Sequence, residues 1–119
     1  MSKLPPQVQE RLLRLQQLQQ TLQSVLAQKQ QVEMEKTEVE QTVTELQKTA
    51  EDAVIYKAAG SLLIKAEKVK ITEELVERKE LLNTRSKVLA RQEERLRSQV
   101  KEAQTKLQQD LSPVSSSSQ

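Results

Sequence analysis

The chain has no cysteine, no histidine, no tryptophan and no phenylalanine, and its 119 residues include one glycine, three prolines and one tyrosine. Each absence closes a class of function. Without cysteine there is no disulfide and no thiolate metal site. Without histidine there is no imidazole to serve as general base or metal ligand. A lone glycine cannot build a phosphate-cradling loop, which needs several so that backbone N–H groups can approach the anion. The remaining carboxylates sit among basic residues at separations of three and four, the spacing of ordinary ion pairs on a helix surface. No catalytic, cofactor-binding or metal-binding residue is assigned, and an enzyme is not expected.

Long apolar runs are also missing. No stretch approaches the roughly 20 residues that cross a bilayer, and residues 1–6 lack the apolar segment of a signal peptide. A soluble, cytoplasmic protein with no membrane partner is expected. With 19 basic and 17 acidic residues the net charge is +2, which gives no general electrostatic case for nucleic acid. The basic run Arg85, Lys87, Arg91, Arg95, Arg97 and Lys101 is diluted by Glu93, Glu94 and Glu102. It has no aromatic neighbours to stack on bases, so a solvated helix face explains it better.

What is present is periodic. A hydrophobic share of 35% is thin for a compact globule but enough for a coiled-coil seam, which buries two positions in seven. Pro5 and Pro6 suit a helix start, where a missing N–H costs nothing. From Leu15 the seam runs Leu18, Leu22, Val25, Lys29, Val32, Lys36, Val39, Val43, Leu46, in alternating steps of three and four. The first helix is expected over about 5–52. The ten glutamines between Gln7 and Gln31 fall off this seam, where they read as good helix formers on a wet face. A second helix is expected over 72–111. Thr72 would be its N-cap, Glu73 and Glu74 would face the positive end of its dipole, and Ile71 and Val76 would form a staple. Leu75, Leu82, Leu89 and Leu96 lie seven apart on its seam. The Ser-rich end, 112–119, is expected to be disordered.

Between the helices, over 53–71, the period drops to two. Val54, Tyr56 and Ala58 alternate with Ile55 and Lys57; after Gly60, Leu62, Ile64 and Ala66 alternate with Leu63 and Lys65. Two alternating runs around a Gly-containing loop predict a β-hairpin. A lone hairpin is marginal in water and leaves both edges unpaired, so it is expected to be completed by hairpins of other subunits. Val54, Tyr56, Ala58, Gly60, Leu62, Ile64 and Ala66 are the candidate oligomer-interface residues.

Two helices joined by so short an insert should fold back antiparallel. A count from Val43 opposite Leu82 brings Glu93 near both Lys29 and Lys36, one turn to either side. It implies a polar layer within the seam, and Glu93→Leu is expected to raise the melting temperature. At the helix ends away from the hairpin, Leu12, Leu13, Leu26, Leu111 and Val114 exceed what the seam can bury. Surplus apolar surface at such ends marks a binding site or an oligomer contact, and Val8, Leu12, Leu13, Leu15, Val100, Leu107 and Leu111 are the candidate binding residues of these tips.

The layout resembles the prefoldin family, in particular its β class. The resemblance covers nearly the whole chain and is carried by Pro-Pro-Gln-Val-Gln at 5–9, Gln-Gln-Leu-Gln at 16–19, Gln-Lys-Gln at 28–30, Glu-Asp-Ala-Val-Ile-Tyr-Lys at 51–57, Gly60 with Leu-Ile-Lys at 63–65, Thr-Glu-Glu-Leu at 72–75 and Arg-Gln-Glu-Glu-Arg at 91–95. The run from Tyr56 to Lys65 is the most specific of these. Room for one hairpin, where α-class subunits carry two, favours the β class. The resemblance implies a mainly α fold: a long antiparallel two-helix coiled coil whose hairpin joins an inter-subunit β-barrel. It further implies a hexamer of two α-class and four β-class subunits. Such a hexamer is an ATP-independent holdase that takes non-native polypeptides at its coiled-coil tips and passes them to a group II chaperonin. A structural coiled-coil adaptor, joined through its helices, is the other reading the residues allow.

Overall fold

A computed structural model describes residues 4–111. The order is α1 (Pro6–Gln47), β1 (Ile55–Ala59), β2 (Leu62–Ala66) and α2 (Lys68–Asp110). The chain divides into two compact units. The first comprises Met1–Lys29 with Val88–Gln119, and the second Gln30–Lys87. The expected disordered tail, 112–119, and Val114 within it lie outside the described residues.

Helix α1 starts where proline chemistry allows. Pro5 supplies the carbonyl for the first helical bond, from the Gln9 amide at 3.0 Å. Gln9 also donates its side-chain amide to the Leu4 carbonyl at 2.7 Å. Threonines inside the helices are accommodated by donating their hydroxyls one turn back, Thr21 to Gln17, Thr42 to Glu38 and Thr84 to Glu80. That satisfies the hydroxyl without breaking the ladder.

In the first unit the core is Val8, Leu15, Leu18, Leu22 and Val25 from α1 with Leu89 from α2. Arg11 reaches Asp110 and Lys29 reaches Glu93, so the two helical segments run antiparallel there. In the second unit the core is Val32, Val39, Leu46 and Leu82, of which Val32 and Leu82 are 1% and 0% exposed. Its cross-helix bonds pair Ser86 with Glu33 at 3.0 Å and Lys79 with Glu40 at 3.6 Å, again antiparallel. Leu82 therefore lies at a level between Glu33 and Glu40, not beside Val43 where the seam count places it. Periodicity identifies which residues face a partner helix; it does not fix how far the helices slide along each other.

Two element boundaries differ from expectation for local reasons. Helix α1 ends at Gln47, five residues before 52. Its last carbonyls turn to tighter bonds, from the amides of Lys48 and Thr49 to the carbonyls of Glu45 and Leu46, and the Thr49 hydroxyl also donates to Leu46 at 2.6 Å. Helix α2 begins at Lys68, four residues before Thr72. Thr72 is therefore no cap; its hydroxyl donates one turn back to the Lys68 carbonyl at 2.8 Å. Ile71 and Val76 lie inside the helix and cannot form the staple. The carbonyl of Glu67 starts the helix by accepting from Ile71 at 3.0 Å. The charged stretch after β2 holds good helix formers and no glycine or proline, so nothing in it delays the helix.

Candidate functional site

Within the second unit, β1 and β2 pair antiparallel with Ile55 opposite Ala66, Tyr56 opposite Lys65, Lys57 opposite Ile64, Ala58 opposite Leu63 and Ala59 opposite Leu62. The loop between them is Gly60-Ser61. Gly60 has φ +61 and no other residue among those described has a positive φ. These are the φ signs of a type II′ turn, whose twist matches the strands it joins. A Cβ at Gly60 would meet nothing within 4 Å. Glycine is thus required by backbone angle and not by space.

Residues directly opposite in a ladder point to the same face. One face of the hairpin carries Tyr56, Ala58, Leu63 and Lys65. The other carries Ile55, Lys57, Ala59, Leu62, Ile64 and Ala66. The candidate interface residues therefore divide: Tyr56 and Ala58 lie on one face, Leu62, Ile64 and Ala66 on the opposite one, and Gly60 in the turn. Val54 precedes the ladder and is exposed. The sequence reading left out Leu63, which at 72% is the most exposed large apolar residue of the hairpin. Loop length was the signal that could have found it. A two-residue Gly-Ser turn sets Ala59 opposite Leu62, and that fixes which residues of the two strands share a side.

Both faces are apolar and both are open. Tyr56 is 59% exposed, Leu62 65% and Ile64 51%. The two strands form the only sheet among the described residues, so each has an outer edge of unpaired N–H and C=O groups. The face with Ile64 looks toward the start of α2, where Lys57 Nζ meets Glu74 at 2.9 Å and Ile55 and Ala66 are half-buried. At the hairpin base, Lys68 donates its ammonium to the Thr49 carbonyl at 2.9 Å and approaches Glu51 at 3.5 Å. Its side chain is only 14% exposed. A cation there both fills the acceptor capacity left at the end of α1 and favours the negative end of that helix dipole. The hairpin is thus held at its root and bare along its length.

The first unit carries the other candidate residues. Val8 and Leu15 are buried at 5% and 8%, so these two belong to the seam and are not surface. Leu12, Val100 and Leu107 are half-buried. Leu13 at 54% and Leu111 at 55% are exposed, together with Leu4 at 43%. Of the surplus predicted at these ends, Leu13 and Leu111 are exposed, Leu12 and Leu26 are half-buried, and Leu4 adds an exposed leucine outside the prediction. Arg11 binds the Asp110 carboxylate and donates to the Lys106 carbonyl at 3.4 Å, closing the last turn of α2.

The polar layer is also in this unit. Of the two lysines near Glu93 by count, Lys29 takes it, and Arg97 Nε donates to its second oxygen at 2.7 Å. Lys36 instead approaches Glu33 in the second unit, at 3.7 Å. The hydrogen bond from Lys29, and then that from Arg97, holds the Glu93 carboxyl below its ordinary range because both stabilise the charged form. No helix among the described residues is long and apolar enough to cross a membrane. No cluster of three or more potential metal ligands occurs among them.

Comparison with known proteins matches these features. A family model described as prefoldin subunit matches residues 9–113. The prefoldin subunit beta of Archaeoglobus fulgidus is 49% identical over 113 residues, covering 95% of this chain and 97% of that protein. That of Methanothrix thermoacetophila is 46% identical, covering 91% and 90%. The crystal structure of the prefoldin beta subunit from Thermococcus strain KS-1 superimposes with a TM-score of 0.80 at 41% identity, covering 92% of this chain and 96% of that one.

Proposed function

The chain belongs to the prefoldin family of chaperone subunits, on the side of its beta class, and from that premise we propose how its two ends divide the work. The hairpin joins hairpins of other subunits into a β-barrel, in a hexamer of two α-class subunits and four copies of this chain. The exposed leucines at the far ends of the helices take up non-native polypeptides, hold them without ATP, and release them to a group II chaperonin in the cytoplasm. The protein acts by binding and not by catalysis.

The observation that carries the assembly reading is the bare hairpin. A two-stranded sheet with apolar side chains on both faces and two open edges is not a stable end state in water. Strand addition at the edges and burial of Tyr56, Leu62, Leu63 and Ile64 would satisfy both needs at once. The reading of the tips rests on Leu4, Leu13 and Leu111, which no seam position covers. Burial of apolar surface is non-directional, so such a surface suits clients of varied sequence. Several weak contacts at separate tips gain strength through effective concentration while each stays weak enough to release.

Two experiments test the halves separately. Tyr56→Asp with Ile64→Asp places a charge on each face of the hairpin. The expected result by light scattering is loss of the complex formed with an α-class subunit. A complex of unchanged mass would instead favour a coiled-coil adaptor joined through its helices. For the tips, deletion of residues 1–14 and 101–119 is expected to leave the assembly whole and abolish suppression of client aggregation. Full holdase activity in the trimmed complex would falsify the assignment of the tips.

A further inference from the structure

The two units differ in charge as well as in fold. The unit made of Met1–Lys29 and Val88–Gln119 has nine basic and five acidic residues, a formal +4, while Gln30–Lys87 has ten basic and twelve acidic, a formal −2. The near-neutral total hides this split. Within the positive unit four of the nine cations are held in ion pairs among the described residues. Arg11 is bound to Asp110, Lys29 and Arg97 to Glu93, and Lys106 to Glu102. Arg14, like Arg91, Arg95 and Lys101, makes no ion pair and no side-chain hydrogen bond among the described residues, and all four are exposed.

Arg14 also stands where two open clefts meet. One, of about 310 Å³, lies between the helices over Leu18 and Ala103; the other, of about 540 Å³, lies on the outer side of α1 beside Leu13. Arg11 and Arg14 line both. The arrangement is an unpaired guanidinium beside one exposed leucine, Leu13, in clefts otherwise lined mainly by polar groups, Glu10 and Glu102 among them. A guanidinium offers a planar fork of donors that matches a carboxylate, and an apolar side chain next to that carboxylate has the exposed Leu13 to lie against.

We propose that this end of the molecule selects among non-native chains by charge, taking extended segments in which Asp or Glu stands beside an apolar residue, with Arg14 as the reading group. This rests on the capture of clients at the helix ends proposed above and narrows it to a substrate class. Burial of the apolar part supplies the non-specific affinity; the carboxylate on Arg14 adds the preference. The contact is exposed, so it is screened by salt and modest in size.

The test uses the assembled complex with its α-class partner and two fluorescent disordered peptides. One alternates Leu with Glu and polar spacers; its twin has each Glu replaced by Lys. Binding is read by anisotropy at low and high ionic strength. The unaltered complex is expected to bind the Glu peptide more tightly, with the gap closing as salt rises. Arg14→Glu is expected to weaken the Glu peptide by about fivefold, the reach of one exposed ion pair, and to strengthen the Lys peptide. Arg14→Lys should restore most of the preference.

Equal affinities for the two peptides in the unaltered complex overturn the proposal, as does an equal loss for both in Arg14→Glu. Failure of the capture reading looks different: neither peptide binds at any salt. If low salt instead doubles the mass of the complex without peptide, the positive clefts accept the negative unit of another copy, and the proposal falls.

Discussion

The second unit hides its core and bares its hairpin; the first spreads its exposure along helix ends. In Gln30–Lys87 the side chains of Val32 and Leu82 are essentially sealed, yet Tyr56, Leu62, Leu63 and Ile64 stand more than half exposed. Among the described residues of the first unit no side chain is sealed to that degree, a polar layer of Lys29, Glu93 and Arg97 interrupts the seam, and the exposed leucines are scattered singly. Val32 and Leu82 seal the helix seam of the second unit, with Leu82 roughly 20 Å along α2 from its start beside the hairpin. A looser seam with isolated apolar residues suits contacts that need not be specific. Rigidity follows packing density, so the difference in burial is also a difference in how each end can behave.

The largest way to break the contrast is to charge one hairpin face at a time. Tyr56→Asp with Leu63→Asp alters one face, and Leu62→Asp with Ile64→Asp the other. Under the assembly proposed above, which buries side chains of both faces, either pair is expected to reduce the mass of the complex with an α-class subunit to that of free subunits. Light scattering reads the result. Unchanged mass for both pairs would remove the hairpin from the assembly altogether.

Next is the core. Leu82→Ala, at a position with no exposure, should cost about 2–5 kcal/mol. Leu107→Ala, half-buried in the first unit, should cost less than half as much. Urea unfolding followed by circular dichroism compares them, and equal costs would deny that the second unit is the better packed. A smaller effect is expected from Lys68→Met. It leaves the Thr49 carbonyl without its ammonium partner, at about 1–2 kcal/mol, and should speed amide exchange at 48–53 before any change at the helix ends.

The smallest effect sharpens the contrast from the other side. Folding holds the Glu93 carboxyl below its ordinary value of 4.5, chiefly through Lys29 and then Arg97. The stabilisation it contributes is complete above that value and fades as pH falls through the lower folded value. Glu93→Gln should flatten this acid-side loss in a melting-temperature profile. Glu93→Leu should also flatten it, and at neutral pH should raise the melting temperature by about a degree or two, since an apolar seam residue can outdo a paired charge. A clear drop at neutral pH would show that the layer stabilises the seam.

Much of this was legible in the chain as written. The three-four rhythm selected Leu15, Leu18, Leu22, Val25, Val32, Val39, Leu82 and Leu89, and all are buried. The change to period two located the strands, because side-chain direction in both elements follows from backbone geometry alone. The short motifs at 5–9, 51–57, 72–75 and 91–95, and above all the Tyr56-to-Lys65 segment, carried the resemblance that the comparisons bear out.

Other features depended on how segments meet. Which lysine takes Glu93, and where Leu82 sits along α1, are set by the sliding register of two helices, and a repeat of seven looks the same after a shift of one turn or two. The ends of the helices were misplaced near the hairpin because Lys68 and Thr49, nineteen residues apart, close that junction together. Burial of Val8 and Leu15 separated seam from surface at the helix ends, where every leucine looks alike in a list. Composition and period depend on each residue's own chemistry and its near neighbours, so the chain determines them unaided. Register, caps and exposure depend on which distant groups come within bonding distance, and only the folded arrangement decides that.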